Sequence, residues 1–476
     1  MKRYRLLIWP IWLLLGMTFL AACQSDALPD NKGGGKQPMA YSDSSYINLR
    51  IVNSQTPMTR TTEVASAKEN AIYDGILCIF EGSNESTAQL KTAVVIDQLI
   101  KNPVNSASID ITQRLATGTH AYGSNLYVLA LLNTTSTGFK VGGSNNNELL
   151  FDGASKNGAT ISDIQTLVIH SVGSTEEHVG LFMSNAPQSD GTNGIWIMPR
   201  ISGSCLFDTP SAAASGDKLT IHVERAAAKV KVTNEATTAS AIRLDGDESR
   251  HPTVHRMTWT LHNYNTQSYA IRNGFTVTSI ESPGTPIAFD TTAPDLFDLY
   301  KQHSNMDGAS VYIAENTTNG KETQVIVEVQ LKEGSFLLGD CYRYQLWGAD
   351  IFFTSADNFI QYCKTEWKKT FASINEGLTT RSSEEVFRYP SLVINDNGTV
   401  TLSLSNESFT SDEQTALSNL ATTLSNTLTG YREGKMYYTY KIKHNDTEYG
   451  VVRNNAYNLK FTNVPGIGDP VPRPNN

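Results

Sequence analysis

Short β-prone runs separated by turn clusters limit most strongly what this chain can fold into. In the first half such runs lie at Ala71–Phe80, Ala93–Ile96, Ala107–Ile111, Leu126–Leu132, Leu167–His170, Leu181–Met183 and Ile195–Met198. Between them gather Gly, Ser, Asn and Thr, as over Gly142–Asn147. Only Ile161–Leu167 suggests a short helix there. In the second half the strand pattern continues at Met257–His262, Phe275–Ile280, Val311–Ala314, Gln324–Leu331, Tyr342–Trp347, Thr399–Leu404, Met436–Lys443 and Tyr457–Phe461. One clear helix interrupts it, Asp412–Leu428, with Leu417, Leu420, Leu424 and Leu428 on one face and Ser411 as N-cap. Many short strands with regular turn signals predict a mainly β chain built as antiparallel sandwiches with a few helices.

The N-terminus carries an address. Lys2, Arg3 and Arg5 precede an apolar run over Leu6–Leu15, and small residues lead to Leu20, Ala21, Ala22 and Cys23. This is the pattern of an export signal ending in a lipobox, with Cys23 as the lipid acceptor. The apolar run is shorter than the roughly 20 residues of a membrane span. Residues 24–45 are polar and contain Gly33, Gly34, Gly35 and Pro38, a flexible tether. Tyr46–Val52 then alternates as a strand, and Pro57, Met58, Thr59 and Arg60 follow it. An address, a tether, a strand and an arginine in that order suggest delivery to a membrane followed by proteolysis.

The chain carries a formal charge of −9, but residues 1–60 hold seven basic and three acidic residues, so residues 61–476 stand at −13. So acidic a body disfavours nucleic acid and anionic headgroups. Its length fits two domains, with a joint at Ser211–Gly216. After that joint, Lys218–Val232 reads as a strand whose central Ala226, Ala227 and Ala228 permit a bulge or close packing. Besides Cys23, the cysteines are Cys78, Cys205, Cys341 and Cys363, too scattered for a redox or zinc motif. Cys78 reads as a buried small hydrophobe, and Cys341 and Cys363 are open either as a disulfide or as two thiols. No H-E-x-x-H, G-x-S-x-G or P-loop pattern occurs. His251, His255 and His262 lie near one another in sequence but need not converge, and Glu384 and Glu385 read as solvated loop carboxylates. No catalytic residue, metal site or cofactor is expected.

Several stretches together resemble the fimbrillins of Bacteroidales type V pili, nearest to the short-fimbrium shaft type. They are Cys23 with a strand and then Arg60, Tyr127–Thr134, Phe182–Ser184, Val223–Lys229, Tyr312–Thr317, Tyr449–Tyr457 and the Gly- and Pro-rich exit. The resemblance implies two transthyretin-like β-sandwich domains and a lipoprotein precursor in the outer membrane. It also implies an Arg-specific protease that removes the first strand, so that a neighbouring subunit supplies a new one. Carried onto this sequence, residues 1–22 are the signal peptide, and 23–60 the tether and removable strand. The N-terminal sandwich is then 61–216 and the C-terminal one 217–476. The removable strand bears Tyr46, Ile47, Leu49 and Ile51, and the cut falls between Arg60 and Thr61. Arg50 is disfavoured as a cut because it lies inside the strand.

The resemblance makes the partners other fimbrial subunits, the protease and the outer membrane. Adhesion and biofilm formation at the cell surface follow as functions. One departure stands out: the family's shaft subunits continue past the Pro-rich exit, whereas this sequence stops at Asn476. Pro-broken residues make poor ladder strands, so the expectation is a subunit that accepts a strand without donating one, terminal or near the tip. Two other functions compete. One is a non-polymerising surface lipoprotein that binds glycan or host protein through Tyr264, Tyr269 and Trp367. The other is a pilus anchor that keeps its first strand.

Overall fold

The computed structural model describes residues 45–53, 65–101, 106, 108–115, 125–189, 194–274, 280–290, 292–293, 296–346, 348–371 and 376–474. Eight strands form the principal sheet of the first half. They are β1 (Tyr46–Asn53), β2 (Gly75–Gly82), β3 (Gln89–Val95), β4 (Ser108–Arg114), β5 (Asn125–Leu132), β6 (Met183–Asn185), β7 (Leu206–Phe207) and β8 (Leu219–Arg225). Their order is β7-β1-β8-β6-β5-β2-β3, with β4 paired to β1. β2 and β5 are apolar almost throughout because both faces of the sheet are covered. The two-residue period sends Leu77, Ile79, Val128 and Ala130 to one core, with Ile47, Leu49, Ile51, Ile221 and Val223. Cys78, Phe80, Leu129 and Leu131 point to the other, against Phe182 and Phe139.

β8 does not end the sheet system. After Ala226 the chain continues as β9 (Ala227–Asn234), so one extended stretch serves two sheets. The extended stretch thus runs through the Ala triplet, and all three alanines are buried, Ala226 and Ala227 against one core and Ala228 against another. β10 (Thr253–His262), β11 (Ser310–Ala314), β12 (Gln324–Glu333), β13 (Lys435–Lys441) and β14 (Ala456–Phe461) complete the second half's main layers. β9 lies between β11 and β14, while β12 lies between β10 and β13. Val230, Val232, Trp259, Val327, Val329, Met436, Tyr438 and Tyr457 share the core of this half.

The mainly β class read from the sequence is met. Two pairings depart from an antiparallel plan: β1 runs parallel to β8, and β14 parallel to β9. Over the expected joint at Ser211–Gly216 the chain forms α1 (Pro210–Ser215), capped by Thr209. Leu167–His170 shrinks to a two-residue strand, Val168–Ile169. Within the expected strands, Ala107, residues 275–279 and Trp347 fall outside the described residues.

The long helix is α2 (Ser411–Ser425), and its cap is Thr410, one residue before the expected Ser411. Thr410 Oγ1 accepts from the Glu413 N–H at 3.4 Å, while the Thr410 N–H donates to Glu413 Oε2 at 2.9 Å. Leu428 starts a strand instead of ending the helix. The helices Leu296–His303 and Ala356–Glu366 have no counterpart in the sequence reading. The second buries the aromatic Phe359, the β-branched Ile360 and the small apolar Cys363, residues that also occur in strands. Glu384 and Glu385 also sit on a helix, Ser383–Val386, instead of a loop. Glu385 closes its capping box and Glu384 pairs with Lys364 at 2.6 Å.

Cys78, Cys341 and Cys363 are buried free thiols, so the open disulfide alternative does not form. Burial pushes Cys341 up to about 12. Trp367 is buried and donates its indole N–H to Arg381 O at 3.0 Å, which removes it from any surface binding loop.

Replacing Thr410 by Ala removes the cap of α2 and should cost about 1 kcal/mol in chemical denaturation. Ser418→Ala on the exposed face of the same helix should change stability by less than about 0.5 kcal/mol.

Candidate functional site

The seat of β1 is the feature that the sequence singled out and the structure describes in detail. Cys23, Arg60 and Thr61 lie outside the described residues, so the seat is known from the strand itself. β4 lines one edge of β1 over its length, from Tyr46 opposite Arg114 to Val52 opposite Ser108. The other edge is shared. β7 pairs with Tyr46 and Ile47, and β8 pairs in parallel from Leu49–Leu219 to Asn53–Val223. β1 is therefore an interior strand, and Arg50 lies where backbone is paired on both sides.

Ile47 and Leu49 are 0 % exposed and Ile51 is 1 % exposed. These three alternate residues fill the core beneath the sheet. Tyr46, the fourth expected residue, is only half-buried and stands on the opposite face. There Asn48 is buried and donates Nδ2 to Gly216 O at 3.0 Å. Gly216 packs against the Phe207 ring, which would have to shift to admit a Cβ there, 2.0 Å away. Arg50 grips Asp110 of β4 with two bonds of 2.7 and 3.0 Å, and Lys218 reaches the same carboxylate at 2.6 Å. The Arg50 hydrogen bond, then that of Lys218, holds the Asp110 carboxyl far below the usual carboxylate range.

The end of β1 enters a buried polar network that the sequence reading did not anticipate. Asn53 Nδ2 donates to Asn70 Oδ1 at 2.7 Å, and Arg225 Nη2 donates to the same oxygen at 2.8 Å. Arg225 also donates Nε to Glu69 O at 3.0 Å and Nη1 to Asn454 Oδ1 at 3.2 Å. Burial raises the Glu69 carboxyl, but Ser66 hydrogen bonds and the cations Lys229 and Arg225 together hold it below its ordinary value. Nearby, Arg453 and Glu315 form a fully buried pair at 2.6 Å, and Arg453 also bonds Ser268 Oγ and Tyr269 O. Arg272 grips Glu224 at 2.7 and 3.0 Å, while burial pushes the Glu224 carboxyl upward.

Several of these residues come from stretches that looked distinctive in sequence. Glu224 and Arg225 belong to Val223–Lys229, Glu315 to Tyr312–Thr317, and Arg453 and Asn454 to Tyr449–Tyr457. Ser184 joins them by donating to Ala270 O at 2.8 Å. Asn133, in a left-handed turn at φ 56°, donates Nδ2 to Ala71 O and Leu181 O. Charged residues inside short apolar runs were the available signal, but their mates lie far away in the chain.

The C-terminal exit is docked. Asp469 and Tyr437 exchange two backbone hydrogen bonds of 2.9 Å, Tyr438 Oη donates to Gly466 O, and Val471 is fully buried. The histidine trio has separate surroundings. His251 Nδ1 lies 2.8 Å from Ile242 O, His262 Nδ1 accepts from the Phe289 N–H, and His255 is exposed. Among the described residues no His, Cys, Asp and Glu gather as a metal-binding group.

Two expectations follow. Arg453→Met strands Glu315 without its cation and should cost about 3–5 kcal/mol in denaturant unfolding, largely recovered by adding Glu315→Leu. Asp110→Asn should destabilise the fold at pH 7. Because the native Asp110 carboxyl is depressed, its contribution is present above the unfolded value of about 4 and is lost below it. The gap between Asp110→Asn and wild type should therefore close as the pH falls below about 4.

Comparison with known proteins places the C-terminal end. Residues 429–476 match the family described as major fimbrial subunit protein type IV, fimbrillin, C-terminal. No curated protein matches the chain. Among solved structures, a candidate cell adhesion protein of Parabacteroides distasonis shares 16% identity at a TM-score of 0.35, covering 63% of this chain and 76% of its own. One of Bacteroides eggerthii shares 12% at 0.36, covering 63% and 78%. A fimbrial assembly protein of Parabacteroides distasonis shares 13% at 0.31, covering 63% and 83%. The matched segment contains β13, β14, Arg453, Asn454 and the docked exit, so it is this end of the chain that is similar to the fimbrillin family.

Proposed function

We propose that this protein is a structural, non-enzymatic subunit of a cell-surface fimbrium, activated by loss of β1 and assembled by strand exchange. It is exported with Cys23 lipidated and held at the outer membrane by the 24–45 tether. An Arg-specific protease cuts between Arg60 and Thr61, and a strand from another subunit then takes the seat of β1. Adhesion and biofilm formation are functions of the assembled fimbrium.

The observation that carries this reading is the interior position of β1, close to a tether and an arginine in the sequence. A seat vacated by β1 exposes pockets for three aliphatic side chains, each worth about 1.5–3 kcal/mol of burial. It also leaves two rows of backbone hydrogen-bonding groups unpaired. A replacement strand restores both, which makes refilling strongly favourable. Arg50 does not serve as the cut, because a protease must reach an unpaired backbone. A surface-binding lipoprotein is less well supported, since buried Trp367 contributes nothing to an aromatic binding loop.

Intact mass and N-terminal sequencing of the protein from outer-membrane and sheared-surface fractions test the proposal. A Thr61 start in the sheared fraction is expected. A lipidated Cys23 start in every fraction would mean that β1 stays in place and that the protein is an anchor or a monomeric lipoprotein.

A further inference from the structure

We propose that the seat of β1 is closed by a polar stop, formed by Asn70, Arg225 and Asn454, which sets the register of any strand that occupies it. The proposal rests on the strand-exchange reading above. It concerns which strand fits, not whether one enters.

Aliphatic pockets alone do not fix a register. A slip of one residue turns every side chain to the wrong face, but a slip of two returns aliphatic residues to equivalent positions. Ile47, Leu49 and Ile51 would tolerate such a slip, so another feature must exclude it.

The first feature is a physical end to the edge. β1 pairs with β8 as far as Asn53 opposite Val223. Beyond that point the same extended stretch is already occupied. The Arg225 N–H donates to Asn454 Oδ1 at 3.3 Å, and the Asn454 N–H donates to Ala227 O at 2.8 Å. β14 then continues the pairing from Lys229 opposite Ala456. A strand pushed two residues along β8 would run into Asn454.

The second feature is chemical. Asn70 Oδ1 is a buried acceptor aimed at position 53, fixed from behind by Arg225. Besides the Arg225 bond it accepts a second one there, from Asn53 Nδ2. In the pushed register the Ile51 side chain would face this oxygen, and burying a polar group against hydrocarbon is costly. On the opposite face Gly216 O accepts from the Asn48 amide at position 48, where Tyr46 would arrive in the pushed register. The matching occupant has three aliphatic residues at alternate positions and an amide at the next alternate position.

Fluorescent peptides covering residues 44–55 test this with the full chain after Arg-specific cleavage. The wild-type peptide should replace β1. An Asn53→Leu peptide should be retained at least about tenfold less well, and a Val52→Ala peptide about as well as wild type. Asn70→Ala in the protein should abolish the preference for the wild-type peptide over the Asn53→Leu peptide. Equal retention of wild-type and Asn53→Leu peptides by the unmodified protein would overturn the polar stop while leaving strand exchange standing. Failure of the wild-type peptide to enter would remove the strand-exchange reading, and the register proposal with it.

Discussion

The pairing of β1 with β4 on one edge and β7 and β8 on the other is the interaction on which the first half depends. Among the described strands, β4 pairs only with β1. Taking β1 away therefore does more than open a pocket. It disconnects β4 from the sheet and uncovers the core to which β2 contributes Leu77 and Ile79, and β5 contributes Val128 and Ala130. An interior strand with this much dependent structure must be either permanent or replaced. The proposed function takes the second course, and the ladder geometry explains why a replacement would be held firmly.

The continuous β8–β9 stretch links this seat to the second half. Its edge is filled in relay by β1, Asn454 and β14. Beside the relay lies a dense set of buried charges, with Arg225, Glu224, Arg272, Glu315 and Arg453 each held by specific mates. Buried ions contribute little net stability once their desolvation is counted, but they are intolerant of wrong partners. Here they fix where the chain crosses between sheets and where the matched C-terminal segment meets that crossing.

Much of this was legible in sequence because burial and periodicity are local. β1, β5, β10 and β12 show it in their apolar runs. The parallel pairings of β1 and β14 were not legible, because strand direction depends on partners far away in the chain, Leu219 for Leu49 and Lys229 for Ala456. The helix Ala356–Glu366 was hidden by Phe359, Ile360 and Cys363, which suit a strand equally well. At the candidate site the aliphatic face of β1 could be read directly. Asn48 and Asn53 could not, because an Asn in a strand looks solvent-facing until Gly216 or Asn70 is placed against it. The resemblance pointed to the right stretches without showing that Glu224, Glu315 and Arg453 are buried structural charges.

Hydrogen exchange read by mass spectrometry, on the full chain before and after Arg-specific cleavage and separation of the 46–53 segment, tests the central role of β1 most directly. Loss of β1 should remove protection from residues 108–114 and 219–223 and leave 324–333 protected. Unchanged protection of 108–114 after β1 has left would contradict the dependence of the sheet on that strand.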